Sequence, residues 1–186
     1  LDAICEPSAT AALDRVCDAL RRDGVDVVEI SRPLDMDAMF DAHAQIMAAD
    51  AARFHRSNFA QRESLYPPRI AELVRTGLTT PAVGYIEALR TREEWRTTLS
   101  RTMEEHGVDA VLMPPATGAA PRGLDFTGDR RANLLASFTG LPAITLPINL
   151  DGNGLPIGAQ LMGLANDEDG LLAKAAWIHR AITANS

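Results

Sequence analysis

The sequence is poor in several residue types that mark particular functional classes. Its 186 residues include only two cysteines, Cys5 and Cys17, too few for a disulfide framework. Lysine is rarer still, because 17 of the 18 basic residues are arginine and Lys174 is the single lysine. No apolar run approaches the roughly 20 residues that a membrane-spanning helix needs. The net charge of −7 disfavours a nucleic-acid or anionic-membrane partner.

What is present is an ordinary globular composition, with 46% hydrophobic and 23% charged residues. The sequence opens at Leu1 rather than Met and shows no basic-then-apolar leader. We therefore expect a piece of a longer polypeptide, and a cytoplasmic location consistent with the sparse cysteine.

Apolar periodicity predicts helices that alternate with short strands. Ser8 and Asp35 are the predicted N-caps of the first two helices, and Gly24 and Gly77 are predicted to end helices. The predicted helices cover about 8–23, 36–59, 69–76, 81–105, 131–138 and a last one from 166. The predicted strands cover 25–30, 109–113, 142–148 and 157–162.

The last third of the chain carries the clearest fold signals. The uniformly apolar run 109–113 is typical of a strand buried on both faces, as in a parallel sheet. The segment 151–154 reads Asp-Gly-Asn-Gly, which predicts a hairpin turn between two strands. A calcium loop is disfavoured there, because Leu155, Pro156 and Met162 occupy positions that need acidic, Gly and Glu residues. The predicted fold class is α/β with a mixed sheet, ending in a β-hairpin and a helix.

Motifs for self-sufficient catalysis are missing. The sequence has no CxxC or HExxH metal motif and no glycine-rich phosphate loop, so a metal centre, a cofactor and a nucleotide-binding domain are all disfavoured. None of the serines has the glycine flanks of a hydrolytic nucleophile. Lys174 lies beside the apolar stripe of the last helix, where a surface lysine is the simpler interpretation. We therefore assign no catalytic residue to this chain.

One loop stands out, the proline- and glycine-rich segment that follows Met113. Ligands of open α/β sheets bind beyond the carboxyl ends of strands, where such a loop holds a fixed shape. A binding loop and a plain structural connection both remain open from the residues alone.

Three segments of the sequence resemble a known family. Residues 107–116 (GVDAVLMPPA), 138–147 (FTGLPAITLP) and 151–163 (DGNGLPIGAQLMG) are similar, in order and spacing, to the late strands and hairpin of the amidase signature family. Upstream, the similarity is looser. The whole of residues 1–186 resembles only the C-terminal part of such a domain.

The resemblance implies a large α/β/α sandwich around one mixed sheet. It also implies a serine hydrolase that cleaves carboxylic amides through an acyl-enzyme, using a Ser–cis-Ser–Lys triad and no cofactor. The triad-bearing signature precedes the part that this chain resembles, so the chain is expected to be inactive alone. The loop after Met113 is expected to line the acyl end of the pocket, with Pro114, Thr117 and Asn133 as substrate-binding residues.

The resemblance also sets the expected partners. These are a small-molecule amide substrate and the missing N-terminal half of the same protein. An open sheet edge further suggests a homo-oligomer. The alternative is a non-catalytic binding or assembly module that reuses the same piece of fold.

Overall fold

The structure is a computed structural model and describes residues 4–30 and 35–183. These residues form two compact units, one from 4–30 and 98–183 and the other from 35–97. The helices are α1 (Pro7–Arg22), α2 (Met36–Arg62), α3 (Pro68–Thr79), α4 (Ala82–His106), α5 (Leu134–Thr139) and α6 (Glu168–Thr183). The strands are β1 (Val111–Met113), β2 (Ala143–Leu150) and β3 (Pro156–Met162), and short 3₁₀ turns cover Glu63–Leu65 and Arg131–Asn133.

The first unit is built on a three-stranded sheet with the order β1-β3-β2. Both pairings are antiparallel, with Val111 and Ala143 on either side of Met162. The predicted mixed sheet is therefore wrong for the described residues, as is the parallel setting predicted for 109–113. An apolar run reports how buried a strand is, and the direction of its neighbour depends on chain segments far away in sequence. The α/β class, the closing hairpin and the last helix are confirmed.

Helices α1 and α6 pack on one face of this sheet and form its main core. The buried members of that core are Val16, Ala19, Leu20, Leu146, Ala159, Leu161, Leu171, Ala175, Ile178 and Ile182. The strand predicted at 25–30 does not form, and the segment runs as irregular chain with Val25 and Val27 against the same core. A β-branched run becomes a strand only when another strand pairs with it, and no described strand lies beside this one.

The boundaries of α1 differ from the prediction at one end. Pro7 is the first helical residue and Glu6 is the N-cap, so the cap predicted at Ser8 is wrong. Proline suits this position because the first helical N–H has no partner within the helix. At the other end the predicted stop is confirmed, since Gly24 follows the helix with φ of +81°.

The second unit contains α2 and α3, which pack closely against each other. Asp35 caps α2 as predicted, and its carboxylate accepts a hydrogen bond from the Ala38 N–H at 3.0 Å. The helix end predicted at Gly77 is wrong, because α3 continues to Thr79. Gly77 instead lies where α3 approaches the backbone of α2 at Ala48.

The β2–β3 hairpin turn forms where the sequence predicts it. One carboxylate oxygen of Asp151 accepts hydrogen bonds from the N–H groups of Asn153 and Leu155, both at 2.8 Å. The bond from the Leu155 N–H is the main cause that lowers the pKa of this carboxyl below its ordinary value. Gly154 has φ of +80°, a conformation that glycine adopts without a steric penalty.

Candidate functional site

A cavity of about 300 Å³ lies in the first unit, beside the loop that follows β1. That volume is at the lower end of the range for small-molecule sites. The loop forms one wall, the β2–β3 hairpin another, and the first turn of α1 closes the cavity at one side. The lining residues are Ala9, Pro115, Ala116, Gly118, Thr145, Pro147, Pro156, Ile157 and Gly158.

Gly158 brings the loop close to the hairpin. A Cβ placed on it would lie 2.9 Å from the Leu146 carbonyl oxygen, 2.9 Å from Thr145 Cγ2 and 3.4 Å from Pro115 Cγ. Since real Cβ contacts are longer than the first two of these, a larger residue would push β2 away, whereas its distance to the loop residue Pro115 would be an ordinary contact. A glycine within a strand commonly marks such a close approach.

The loop is also tied to the start of α1. The backbone N–H of Glu6 donates a hydrogen bond to the Thr117 carbonyl at 2.6 Å. The Glu6 side chain lies against the next residue: a Cβ on Gly118 would be 2.7 Å from its Oε1 and closer still to the other two carboxyl atoms. A side chain at position 118 would therefore displace the flexible Glu6 carboxylate from its place beside the loop.

Two further polar groups lie on the hairpin. The Thr145 hydroxyl is the only polar side-chain group among the residues that line the cavity. Gln160 pairs with Thr145 across the two strands and shares a sheet face with Gly158, because side chains alternate along a strand. Gln160 is only 3% exposed, and its Nε2 atom has no hydrogen-bond partner in the described part of the chain. Such a buried donor is unusual and destabilises the fold.

The predicted substrate-binding residues occupy different places. Pro114 is buried directly before the lining residue Pro115, and the half-buried Thr117 lies between the lining residues Ala116 and Gly118. Asn133 is exposed and ends the 3₁₀ turn before α5. All three assignments stay predictions.

The sequence patterns did not single out Glu6, Thr145 or Gln160. The strand glycine at 158 was the available signal, because it indicates that another segment comes close. It does not say which segment, so the participants emerge only from the fold.

Next to Asn133, an ion pair fixes the start of the 3₁₀ turn. Arg131 donates hydrogen bonds to both carboxylate oxygens of Asp129, and the Arg131 backbone N–H donates to the same carboxylate at 2.9 Å. These bonds, led by that to the guanidinium, hold the pKa of Asp129 below its ordinary value. The turn is therefore held in place by a local contact.

The second unit has a wide, open depression of about 680 Å³ beside Tyr66. Its charged groups are already paired with each other. Arg75 donates to Glu63 at 2.8 Å and to Glu72 at 3.1 Å, and these bonds raise its pKa above the ordinary value. The Tyr66 hydroxyl contacts His55 Nδ1 at 3.1 Å. Because its charged side chains are already paired with each other, this depression is a weaker candidate than the cavity of the first unit.

Nothing in the described residues forms a hydrolytic constellation around Lys174. Its Nζ atom pairs with the Asp167 carboxylate at 3.3 Å, and no described serine is hydrogen-bonded to it. The surface interpretation of this lysine agrees with its side chain, which is 34% exposed.

The described residues offer neither a membrane-spanning helix nor a metal-binding cluster. Across 4–30 and 35–183, no helix is both long and apolar enough to cross a membrane. The same residues contain no group of three or more His, Cys, Asp or Glu side chains suited to hold a metal ion.

Comparison with known proteins gives consistent matches. A family model described as "Amidase" matches residues 2–172. One of the subunits of the glutamyl-tRNA(Gln) amidotransferase of Rhizorhabdus wittichii is 27% identical over 186 residues, spanning 82% of this chain and 37% of that protein. A structure described as "Crystal structure of amidase" superposes with a TM-score of 0.84 and 25% identity, covering 96% of this chain and 43% of that one. A fatty acid amide hydrolase shares the fold, with a TM-score of 0.79 and 15% identity over 96% of this chain and 37% of its own.

The chain thus spans between 37% and 43% of the length of these three proteins. The matched region contains the whole cavity, from Ala9 to Gly158. Since the family model covers most of the sequence and the backbone follows that of a solved amidase, the chain belongs to the amidase signature family.

Proposed function

We propose that this chain is the C-terminal part of an amidase-type serine hydrolase that cleaves a carboxylic amide through an acyl-enzyme. In this proposal the chain supplies scaffold and cavity walls, and the catalytic triad lies on an N-terminal part of the same protein. The observation that carries the proposal is the cavity between the β1 loop and the hairpin, within a chain that covers about two fifths of its relatives.

The character of the cavity walls supports a role in holding the acyl group. Alanine, proline and isoleucine side chains provide apolar surface, and Pro115, Pro147 and Pro156 fix the backbone around it. A rigid apolar wall orients a substrate and keeps water from the reacting carbonyl, which lowers the entropic cost of reaching the transition state. Nucleophilic attack itself needs an activated serine. The described residues supply none.

The substrate-binding residues of the proposal are Pro114, Thr117 and Asn133. Thr117 is the most informative to test, because its backbone carbonyl is already engaged by Glu6 and its side chain is half-buried. In the complete enzyme, Thr117→Val and Asn133→Ala are expected to change KM or kcat/KM for a small amide. Unchanged kinetics in both variants would remove these residues from the site.

The proposal is tested by adding the upstream coding region. The chain of residues 1–186 and a polypeptide extended upstream are each incubated with a panel of aliphatic and aromatic amides, and ammonia release is measured. We expect release only from the extended polypeptide, and its loss when the upstream signature serine is replaced by alanine. Ammonia release by residues 1–186 alone would contradict the proposal. An upstream region without a serine–lysine signature would favour the binding or assembly module instead.

A further inference from the structure

We propose that Glu6 gives the cavity a preference for amides whose acyl chain ends in a positively charged group, such as an alkylammonium. This inference rests on the proposed function, because it assigns a substrate class to the same cavity.

The position of Glu6 at the rim is the first observation. Its backbone N–H is fixed on the Thr117 carbonyl at 2.6 Å, and its carboxylate lies beside Gly118, a residue that lines the cavity. Glu6 is itself exposed and is not one of the lining residues, so its charge lies beside the cavity, next to Gly118, rather than buried in the wall. A charged group on the free end of a bound chain can therefore meet the carboxylate without losing all of its water.

The charge of the surroundings is the second observation. No basic residue lines the cavity, and the carboxylate of Glu6 has no ion pair or hydrogen bond to any residue in the described ranges. The chain as a whole has a net charge of −7, which raises the local concentration of cations and lowers that of anions. Glu6 is thus available to an incoming cation.

The cavity wall determines which kind of stem can link the charged end of the substrate to its amide group. The lining is apolar apart from the Thr145 hydroxyl, so a run of methylene groups is the stem that it accommodates best. Lysine side chains lie on protein surfaces in the same way, with the apolar stem against the protein and the charged end in water. The ligand class that fits both observations is a short ω-ammonium acyl chain.

Binding of three matched probes tests the charge preference directly. The probes are pentan-1-amine, pentan-1-ol and pentanoate at pH 7, which share a stem and differ in charge. Residues 1–186 and the variants Glu6→Gln and Glu29→Gln are titrated and followed by the amide signals of Gly118, Thr145 and Gly158. Glu29 is an exposed glutamate of the same unit that neither lines the cavity nor contacts Gly118, so its variant makes the same charge change without that contact.

We expect the wild type and Glu29→Gln to bind the amine about two- to five-fold more tightly than the alcohol, and the alcohol more tightly than the acid. In Glu6→Gln the amine and the alcohol should bind alike. Added salt should weaken the preference of the wild type, because the pair is at the surface. An amine preference that persists in Glu6→Gln, or a wild type that binds all three probes equally, overturns the proposal.

A kinetic arm separates this inference from the proposed function. In the extended polypeptide, kcat/KM is measured for 5-aminopentanamide and for pentanamide, and the ratio of the two values is compared between wild type and Glu6→Gln. We expect the ratio to fall about two- to five-fold in the variant. If both amides are hydrolysed and the ratio of their kcat/KM values is the same in Glu6→Gln, the role of Glu6 is contradicted while the proposed function is not. Failure to hydrolyse any amide contradicts the proposed function, while the binding arm still decides on Glu6.

Discussion

Replacement of Gly77 by alanine tests how tightly α2 and α3 pack. A Cβ at this position would lie 2.7 Å from Ala52 Cβ and closer still to the carbonyl group of Ala48. A backbone carbonyl cannot rotate out of the way as a flexible side chain can, so the two helices must move apart. That movement loosens the small core between them, formed by Ala52, Phe59, Ala71 and Val74.

The expected change in the free energy of unfolding is the difference between two opposing effects. Overpacking of this severity costs about 3 kcal/mol, whereas alanine in a helix is about 1 kcal/mol more favourable than glycine. The expected net result is a free energy of unfolding that is about 2 kcal/mol lower. Without the close approach, the same substitution should stabilise the protein.

Gly84 provides the matched control. It lies in α4, and a Cβ there would be 3.6 Å from the Gln45 Oε1 atom, which is an ordinary contact. We expect Gly84→Ala to leave the free energy of unfolding unchanged or raise it by about 0.5 kcal/mol. Both variants are measured by urea titration followed by far-UV circular dichroism. A Gly77→Ala protein at least as stable as the wild type would refute the packing that we describe.

Three further predictions concern single side chains. Gln160→Met should raise the free energy of unfolding by about 1 kcal/mol, because it removes a buried donor without a partner in the described residues; a loss of stability in thermal unfolding would reveal a partner. Asp35→Ala should lower the free energy of unfolding by about 1 kcal/mol, because the α2 cap is lost. Urea titration measures this change, and Asp35→Asn should retain most of the stability. Burial raises the pKa of the Cys17 thiol, so less thiolate is present in the folded chain at a given pH. Iodoacetamide should therefore modify Cys17 more slowly in the folded chain than in urea, as followed by mass spectrometry, and equal rates would contradict this.

Features that depend on neighbouring residues were predictable from the sequence. The Asp35 cap and the Asp151 turn are examples, because each is a side chain that bonds to backbone groups only two to four residues away. Family membership was predictable as well, since it was carried by the order and spacing of segments in the last third of the chain. The α/β class and the closing hairpin followed from these signals, whereas the mixed sheet did not form in the described residues.

Features that depend on distant segments were predicted wrongly or not at all. Gly77 matched the pattern of a helix end, yet it is a packing glycine, and both roles have the same local signature. The run 25–30 has the composition of a strand but no described strand beside it. The antiparallel position of β3 between β1 and β2 likewise depends on pairing between residues some 50 positions apart, such as Val111 and Met162.

By itself, the amino-acid sequence determined the Asp35 cap, the hairpin turn and membership of the amidase signature family, because caps, turns and motif spacing act over a few residues. Only the tertiary structure decided the strand order, the contact at Gly77 and the cavity where Glu6 meets the loop after β1. Those features depend on segments separated by tens to more than a hundred residues, and the free energy that brings such segments together comes from burial and packing, which no local pattern records.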